Sequence, residues 1–208
     1  MLATVLVACT SCFTGERPRL VTEATLAPLD DSAIGAVADL LAVGPEDVAF
    51  TVDYTIVTKL GGQSTSARLS HDPLLGTSLV VAEVRYVWPI DGQSWTCSTI
   101  TTECESGIDE TRVSDRQLTS GFWGPSIVER LRQDVSFAVR DATSRSGDLV
   151  GRTVTCVDVP VVDSSGSPRT KTYCAFDALG VVASFDTADL SVIATAVGET
   201  ADAASFIV

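Results

Sequence analysis

Four of the six cysteines fall into two pairs that are close in sequence, and this pairing constrains the fold more than any other feature. Cys97 and Cys104 bound the segment CSTITTEC, and Cys156 and Cys174 bound a segment with a turn in its middle. Both spacings fit disulfides that join adjacent strands or close a loop. A zinc site would need CxxC or CxH spacing with partner histidines, and His71 is the only histidine. The sequence therefore predicts two disulfides, no metal and an oxidising compartment.

Alternating apolar and polar residues predict strands in much of the chain. The pattern is clearest in AFTVDYTIVTKL, whose apolar face carries Phe50, Val52, Tyr54 and Ile56. Residues 78–88 predict one long strand with Val84 and Tyr86 on one face. The segments after Gly151 are rich in β-formers, and the last residues, ASFIV, predict an edge strand.

Two segments have helical periodicity. A short helix begins at Asp30-Asp31, which suit a helix N-terminus, and ends at Gly44-Pro45. A long helix covers residues 125–144, with Pro125 in its first turn. Its apolar face carries Val128, Leu131, Val135, Ala138 and Ala142. The fold class predicted from these elements is α+β, with antiparallel strands packed on one short and one long α-helix.

The N-terminus predicts an export and anchoring signal. Leu6-Val7-Ala8-Cys9 matches the lipobox, in which a small residue precedes a cysteine that is alkylated with diacylglycerol. No Lys or Arg precedes the apolar run, although export signals begin with a positive segment. An ordinary signal-peptide core, or a buried strand with a free cysteine, is the alternative. We expect residues 1–9 to be a signal remnant with Cys9 as lipid anchor, residues 10–28 a tether, and residues 29–208 a single domain.

Composition limits the location and the partners. A transmembrane helix needs roughly 20 apolar residues, and no stretch of the sequence supplies them. We therefore expect anchoring to the outer face of the cell membrane through the lipid. The chain has 27 acidic and 14 basic residues and a net charge of −13. Nucleic-acid binding depends on Lys and Arg that neutralise phosphates, so we expect no nucleic-acid partner.

No residue pattern points to catalysis. The chain has no GxSxG elbow, and any Ser-His-Asp triad would have to use His71, which SHDP predicts to be exposed in a turn. Oxygen-rich segments at 163–167 and 186–189 are minor candidates for calcium, but neither matches an EF-hand loop. The other acidic residues fit a solvated surface. We expect no enzyme activity and no cofactor.

The order of these elements, together with a sequence pattern near the C-terminus, resembles that of a known family. The pattern GxxxxC…YCxxDxxGV is formed by Gly151, Cys156, Tyr173, Cys174, Asp177, Gly180 and Val181. With the lipobox, tether and strand order, it makes the chain resemble secreted actinobacterial lipoproteins whose fold is similar to the LolA/LprG-type lipoprotein carriers. The resemblance implies a strongly curved antiparallel sheet, a half-barrel, that wraps around the helices and leaves an apolar cavity for acyl chains.

Two functions remain open. If the chain carries a lipid or another hydrophobic molecule, strand alternation makes Val52, Tyr54, Ile56, Val84 and Tyr86 face the cavity, and Ala138 on the long helix helps to close it. The alternative is a structural or interaction lipoprotein of the cell envelope with a packed core, no ligand and an unidentified protein partner. The aromatic residues fit either function, as core or as cavity lining: Tyr54, Tyr86, Trp88, Trp95, Phe122 and Trp123. Cavity volume separates the two.

Overall fold

The computed structural model describes residues 32–45, 47–163 and 165–208. Cys9, the lipobox, the tether of residues 10–28 and the predicted helix start at Asp30-Asp31 lie outside the described residues.

Within that part of the chain, eleven strands form one antiparallel sheet in the order β6-β5-β4-β3-β2-β1-β11-β10-β9-β8-β7. The strands are β1 (Phe50–Thr58), β2 (Gln63–Asp72), β3 (Gly76–Val81), β4 (Val84–Pro89), β5 (Trp95–Ser98), β6 (Cys104–Ser106), β7 (Thr143–Leu149), β8 (Arg152–Val162), β9 (Pro168–Phe176), β10 (Val182–Asp186) and β11 (Leu190–Gly198). β1 and β11 pair at the centre and join two meanders, β1–β6 and β7–β11. The predicted antiparallel sheet with helices is confirmed.

One face of the sheet carries the core, and we call it the inner face. Cross-strand pairing places Val52 opposite Leu69, Leu69 opposite Leu79, and Leu79 opposite Tyr86. All four side chains are 0% exposed. Directly opposed residues of antiparallel strands point to the same face, so this row continues the alternation of β1 across four strands.

Within the described residues both helices have the same length, and the second ends well before residue 144, which corrects the expectation of one short and one long helix. α1 covers Ser32–Val43 and α2 covers Pro125–Ser136, with 12 residues each. α1 packs against β7, β8, β9 and α2. The chain leaves the helix after Ser136, and the backbone N–H of Val139 donates to the Pro160 carbonyl of β8 at 2.9 Å. Residues 143–149 then pair with β8, so tertiary strand pairing overrides the helical periodicity that continues through Ala142.

Residues 78–88 form a hairpin and not the one long strand predicted. β3 ends at Val81, β4 begins at Val84, and the two strands pair directly. Ala82 has a φ of +50°, the left-handed conformation that tight hairpin turns require. Glycine or asparagine commonly marks such turns, and the sequence here has neither.

The last residues form a 3-10 helix, Ala203–Phe206, and not the predicted edge strand. Its N-cap Asp202 accepts a hydrogen bond from the Ala204 N–H at 3.0 Å. Arg85, on the outer face of β4, donates to the carbonyls of Ala204 and Ile207 at 3.3 and 2.6 Å. A second 3-10 helix, Glu110–Arg116, lies between β6 and α2.

Candidate functional site

The residues predicted to line a ligand cavity lie in or against the core. The five from β1 and β4 are 0 to 6% exposed: Val52, Tyr54, Ile56, Val84 and Tyr86. They belong to one buried cluster with residues of both helices. Neither these five residues nor Ala138 line the best-defined surface grooves of the described chain, which have volumes of about 410 to 580 Å³. Their assignment to a ligand stays a prediction.

The two buried tyrosines of this set have hydrogen-bond partners within the chain. The Tyr54 hydroxyl donates to the Val182 carbonyl at 2.8 Å, and the Tyr86 hydroxyl donates to the Asp109 carbonyl at 3.0 Å. Burial raises the pKa of Tyr54 far above its usual range, so its hydroxyl stays a neutral donor. Phe122 packs edge-on against Tyr54, with 5.3 Å between ring centroids. Other parts of the chain therefore contact the side chains of Tyr54 and Tyr86, where a ligand was predicted.

Ala138 lies two residues beyond α2, which corrects its predicted place on the helix. Its N–H donates to the Val135 carbonyl at 3.0 Å. This bond closes the last turn before Val139, whose N–H bonds to β8. The side chain is half-buried and packs against the core. Ala138 thus marks the exit from the helix.

A groove with a volume of about 580 Å³ lies at the end of the sheet formed by the start of β3 and the end of β4. Thr77 and Trp88 line its sheet side, and Trp123 and Pro125 line the side of α2. The rings of Trp88 and Trp123 meet at 65°, with 6.2 Å between centroids. Aromatic side chains with this geometry offer both apolar surface and polar edges. Of the aromatic residues noted in the sequence, Trp88 and Trp123 line this groove.

Exposed apolar residues lie in two turns next to the groove. The Ile90 N–H donates to the Leu75 carbonyl at 3.4 Å and continues the pairing of β3 with β4. Alternation places Leu75 and Ile90 on the same side as Thr77 and Trp88. Leu75 is 40% exposed and Ile90 61% exposed. We call Leu74, Leu75 and Ile90 the rim of the groove. Leu74 is the most exposed of them, at 81%.

The sequence analysis did not predict the rim, although two turn sequences could have indicated it. The turns PLLG and PIDG place large apolar residues where polar ones are usual. Gly76 is required there because an added Cβ would lie 2.1 Å from the Trp88 carbonyl oxygen. The close approach of these two strands brings the turns together.

The groove carries negative charge. Glu110 is the one charged residue that lines it, and its carboxylate accepts hydrogen bonds from the N–H and hydroxyl of Ser120 at 2.8 and 2.5 Å. Asp72 is the last residue of β2, and Asp91 lies in the loop after β4. This end of the molecule therefore suits a cationic or neutral partner better than an anionic one.

A second polar cluster attaches α2 to the sheet. Asp134, 6% exposed, accepts hydrogen bonds from the Tyr173 hydroxyl and from Lys171 Nζ, the latter at 2.5 Å. Arg130 pairs with Asp189 at 2.5 Å. The charged groups balance one another, so the cluster is a structural connection between helix and strands.

The segments considered for calcium direct their carboxylates to the chain itself. Asp163 accepts from Ser165 and Ser167, and these bonds lower its carboxyl pKa to about 2. Asp186 pairs with Lys59 at 2.8 Å. Among the described residues, no group of three His, Cys, Asp or Glu side chains is placed to hold a metal ion.

His71 is buried, which corrects the expectation of an exposed turn residue. It lies in β2, is 8% exposed, and its Nδ1 is 3.0 Å from the Thr77 hydroxyl. Its ring packs against Phe50, with centroids 5.4 Å apart. The pairing of β2 with β3 continues to Asp72, so the turn begins at Pro73 and not at His71.

Both predicted disulfides are confirmed. Cys97 bonds to Cys104 across β5 and β6, and Cys156 bonds to Cys174 across β8 and β9. Each pair is directly opposed in the strand register. Such bonds persist in oxidising compartments, so they indicate an extracytoplasmic location.

Neither of the described α-helices has the length and apolar character to cross a membrane. No protein-family model matches the sequence. No curated protein matches it. Among solved structures, the chain is similar to MucB in its crystal structure, with 12% sequence identity and a TM-score of 0.47. The similarity covers 84% of this chain and 62% of that one, so this chain spans about three-fifths of the length of MucB.

Proposed function

We propose that the protein is a lipid-anchored extracytoplasmic module that binds a protein partner of the cell envelope through its surface, with a packed core and no enzyme activity. The observation that supports this best is the closed inner face of the sheet. Val52, Tyr54 and Tyr86 are at most 1% exposed, and both hydroxyls are bonded within the chain. A carrier of acyl chains needs an apolar cavity of roughly 300 Å³ or more. Close packing of the same face favours the structural alternative.

The anchor is the lipid that the lipobox predicts on Cys9. Two acyl chains, at about 0.8 kcal/mol per buried CH₂ group, hold a protein stably at a membrane. An acidic chain of net charge −13 gains nothing from anionic headgroups, so the lipid has to supply the attachment.

The absence of enzyme activity is proposed from the state of the side chains that carry chemistry. His71 is buried against Phe50 and Thr77. The carboxylates of Asp134 and Asp163 accept hydrogen bonds from their own chain. General acid–base catalysis requires such groups to reach a substrate.

A second candidate is binding of a lipid or another hydrophobic molecule, and the groove at Trp88 and Trp123 favours it. Its volume of about 580 Å³ lies in the range of small-molecule sites. In this candidate, the ligand lies at the end of the sheet and not against the buried residues of β1 and β4 that the sequence predicted as lining. A half-barrel that opens around an acyl chain would need the inner face to separate from α2.

Native mass spectrometry of protein purified from its own membrane tests the proposal. We expect the mass of the chain with its covalent lipid and no further lipid. The matched control is Cys9→Ala, which we expect in the soluble fraction with an unchanged melting temperature. A non-covalent lipid retained by Cys9→Ala would contradict the packed-core function and support the second candidate.

A further inference from the structure

We infer that the groove between Trp88 and Trp123, with its rim of Leu74, Leu75 and Ile90, docks an apolar segment of a partner protein flanked by lysine or arginine. The inference rests on the proposed interaction function and adds the place and the chemistry of the contact. Three independent features of this end of the sheet support it.

The first feature is the aromatic floor. Trp88 and Trp123 are half-buried and in contact at 6.2 Å between centroids, so both rings are held in place. Rigid aromatic anchors in a groove are typical of binding hot spots.

The second feature is the apolar rim. Leu74 is 81% exposed, and Ile90 is 61% exposed, on turns joined by the Ile90–Leu75 hydrogen bond. Single exposed apolar residues are ordinary, but strand alternation places Leu75 and Ile90 next to Thr77 and Trp88, which line the groove. Such a surface on a folded domain marks an interaction site.

The third feature is charge. The segments that form the groove and its rim, residues 72–77, 88–91 and 117–126, contain Asp72 and Asp91 and no lysine or arginine. Glu110 adds a negative charge in the groove itself. It belongs to the 3-10 helix Glu110–Arg116, which also contains two arginines, and Arg112 is not among the residues that line the groove. Apolar residues between carboxylates are complementary to a segment that combines large apolar side chains with basic ones.

The same charges argue against other occupants. A second copy of this chain would bring Asp72, Asp91 and Glu110 towards their own equivalents and towards a net charge of −13. Anionic lipid headgroups meet the same repulsion. Like charges placed opposite one another suppress association, so a basic protein segment is the occupant that the groove fits.

Calorimetric titration of the purified Cys9→Ala protein with synthetic peptides tests the inference. The probe is a short peptide in which leucines and a phenylalanine are flanked by lysines. One matched peptide carries glutamates in place of the lysines, and another carries serines in place of the apolar residues. We expect only the first to bind, with an affinity that falls as salt is added.

Variants locate the contact. Leu74→Ser with Ile90→Ser removes the rim from turns that are already exposed, and we expect at least about tenfold weaker binding. Leu60→Ser is the matched control, because Leu60 is 72% exposed in another hairpin turn, and it should bind like the parent. Asp91→Asn should weaken binding several-fold, whereas Asp148→Asn on β7 should not.

Several outcomes would overturn the inference. No binding of the lysine-flanked peptide, equal binding of the glutamate-flanked peptide, or unchanged affinity in the rim variant would each do so. Binding of uncharged phosphatidylcholine vesicles that is lost in the rim variant would make a membrane the occupant. These failures leave the packed-core function intact, since they do not test the core, whereas a lipid retained by Cys9→Ala would contradict that function.

Discussion

The carboxylate of Asp134 in α2 accepts a hydrogen bond from the hydroxyl of Tyr173 in β9. The second carboxylate oxygen pairs with Lys171 Nζ at 2.5 Å, two residues earlier on the same face of β9. Burial, and then the charge of Asp134, raise the pKa of Tyr173 far above its usual range, so the hydroxyl stays a donor. One side chain thus attaches the helix to two positions of the strand below it.

Replacement of Asp134 by alanine should lower the free energy of unfolding by about 2–4 kcal/mol, because it leaves a buried hydroxyl and a half-buried ammonium without an acceptor. Urea unfolding measures the change. Asp148→Ala, on the exposed edge strand β7, is the control and should stay within about 0.5 kcal/mol of the parent. Equal effects of the two substitutions would show that the Asp134 cluster adds nothing to stability.

The two disulfides should contribute differently to stability. Cys97–Cys104 closes a separation of 7 residues and Cys156–Cys174 one of 18, so the chain-entropy model gives about 2 and about 3 kcal/mol. We expect the double alanine variant of the second pair to unfold at the lower urea concentration. Non-reducing peptide mapping should recover the two pairs as assigned, and a crossed peptide such as Cys97–Cys174 would be incompatible with the strand register.

The sequence predicted the elements whose signal is local. The alternation in β1 predicted which side chains point inward, and Val52, Tyr54 and Ile56 are all at most 1% exposed. The cysteine spacing predicted both bridges. These predictions were correct because the alternation of buried and exposed residues along a strand, and the pairing of nearby cysteines, depend on residues close in sequence.

The wrong predictions concern segments whose structure depends on contacts with distant parts of the chain, or a turn that lacks the usual turn residues. α2 ends at Ser136 because the following residues supply backbone hydrogen bonds to β8, which no local pattern encodes. The turn at Ala82 lacks a glycine or asparagine, so residues 78–88 resembled one strand. The groove at Trp88 depends on contact between two hairpin turns and the loop before α2. The sequence analysis noted Trp88 and Trp123, but it did not predict that their rings are in contact.

Asp163 should titrate unusually low. Hydrogen bonds from Ser165, then from Ser167 and Arg169, lower its carboxyl pKa to about 2 from an ordinary 3.8. Because the folded pKa is the lower one, the stabilisation is present above the ordinary pKa and is lost as pH falls towards 2. Carbon-13 NMR of the carboxyl should give a midpoint near pH 2. Ser165→Ala should move the midpoint up, and a midpoint near 3.8 in the parent would exclude the hydrogen-bonded turn.

The packing around Ile56 separates a filled core from a ligand cavity. Ile56 is 1% exposed on the inner face of β1, and Ile193, on the neighbouring strand β11, is 43% exposed on the outer face. In a filled core, Ile56→Ala leaves a void and should cost about 2–5 kcal/mol, while Ile193→Ala should cost about 1 kcal/mol or less. Both values come from urea unfolding of the Cys9→Ala protein, which has no lipid anchor. If Ile56 instead faced an open cavity, its truncation would remove few contacts, and the two substitutions would cost nearly the same. A small cost for Ile56→Ala, together with uptake of an apolar fluorescent probe by the parent, would therefore favour the carrier function over the packed core.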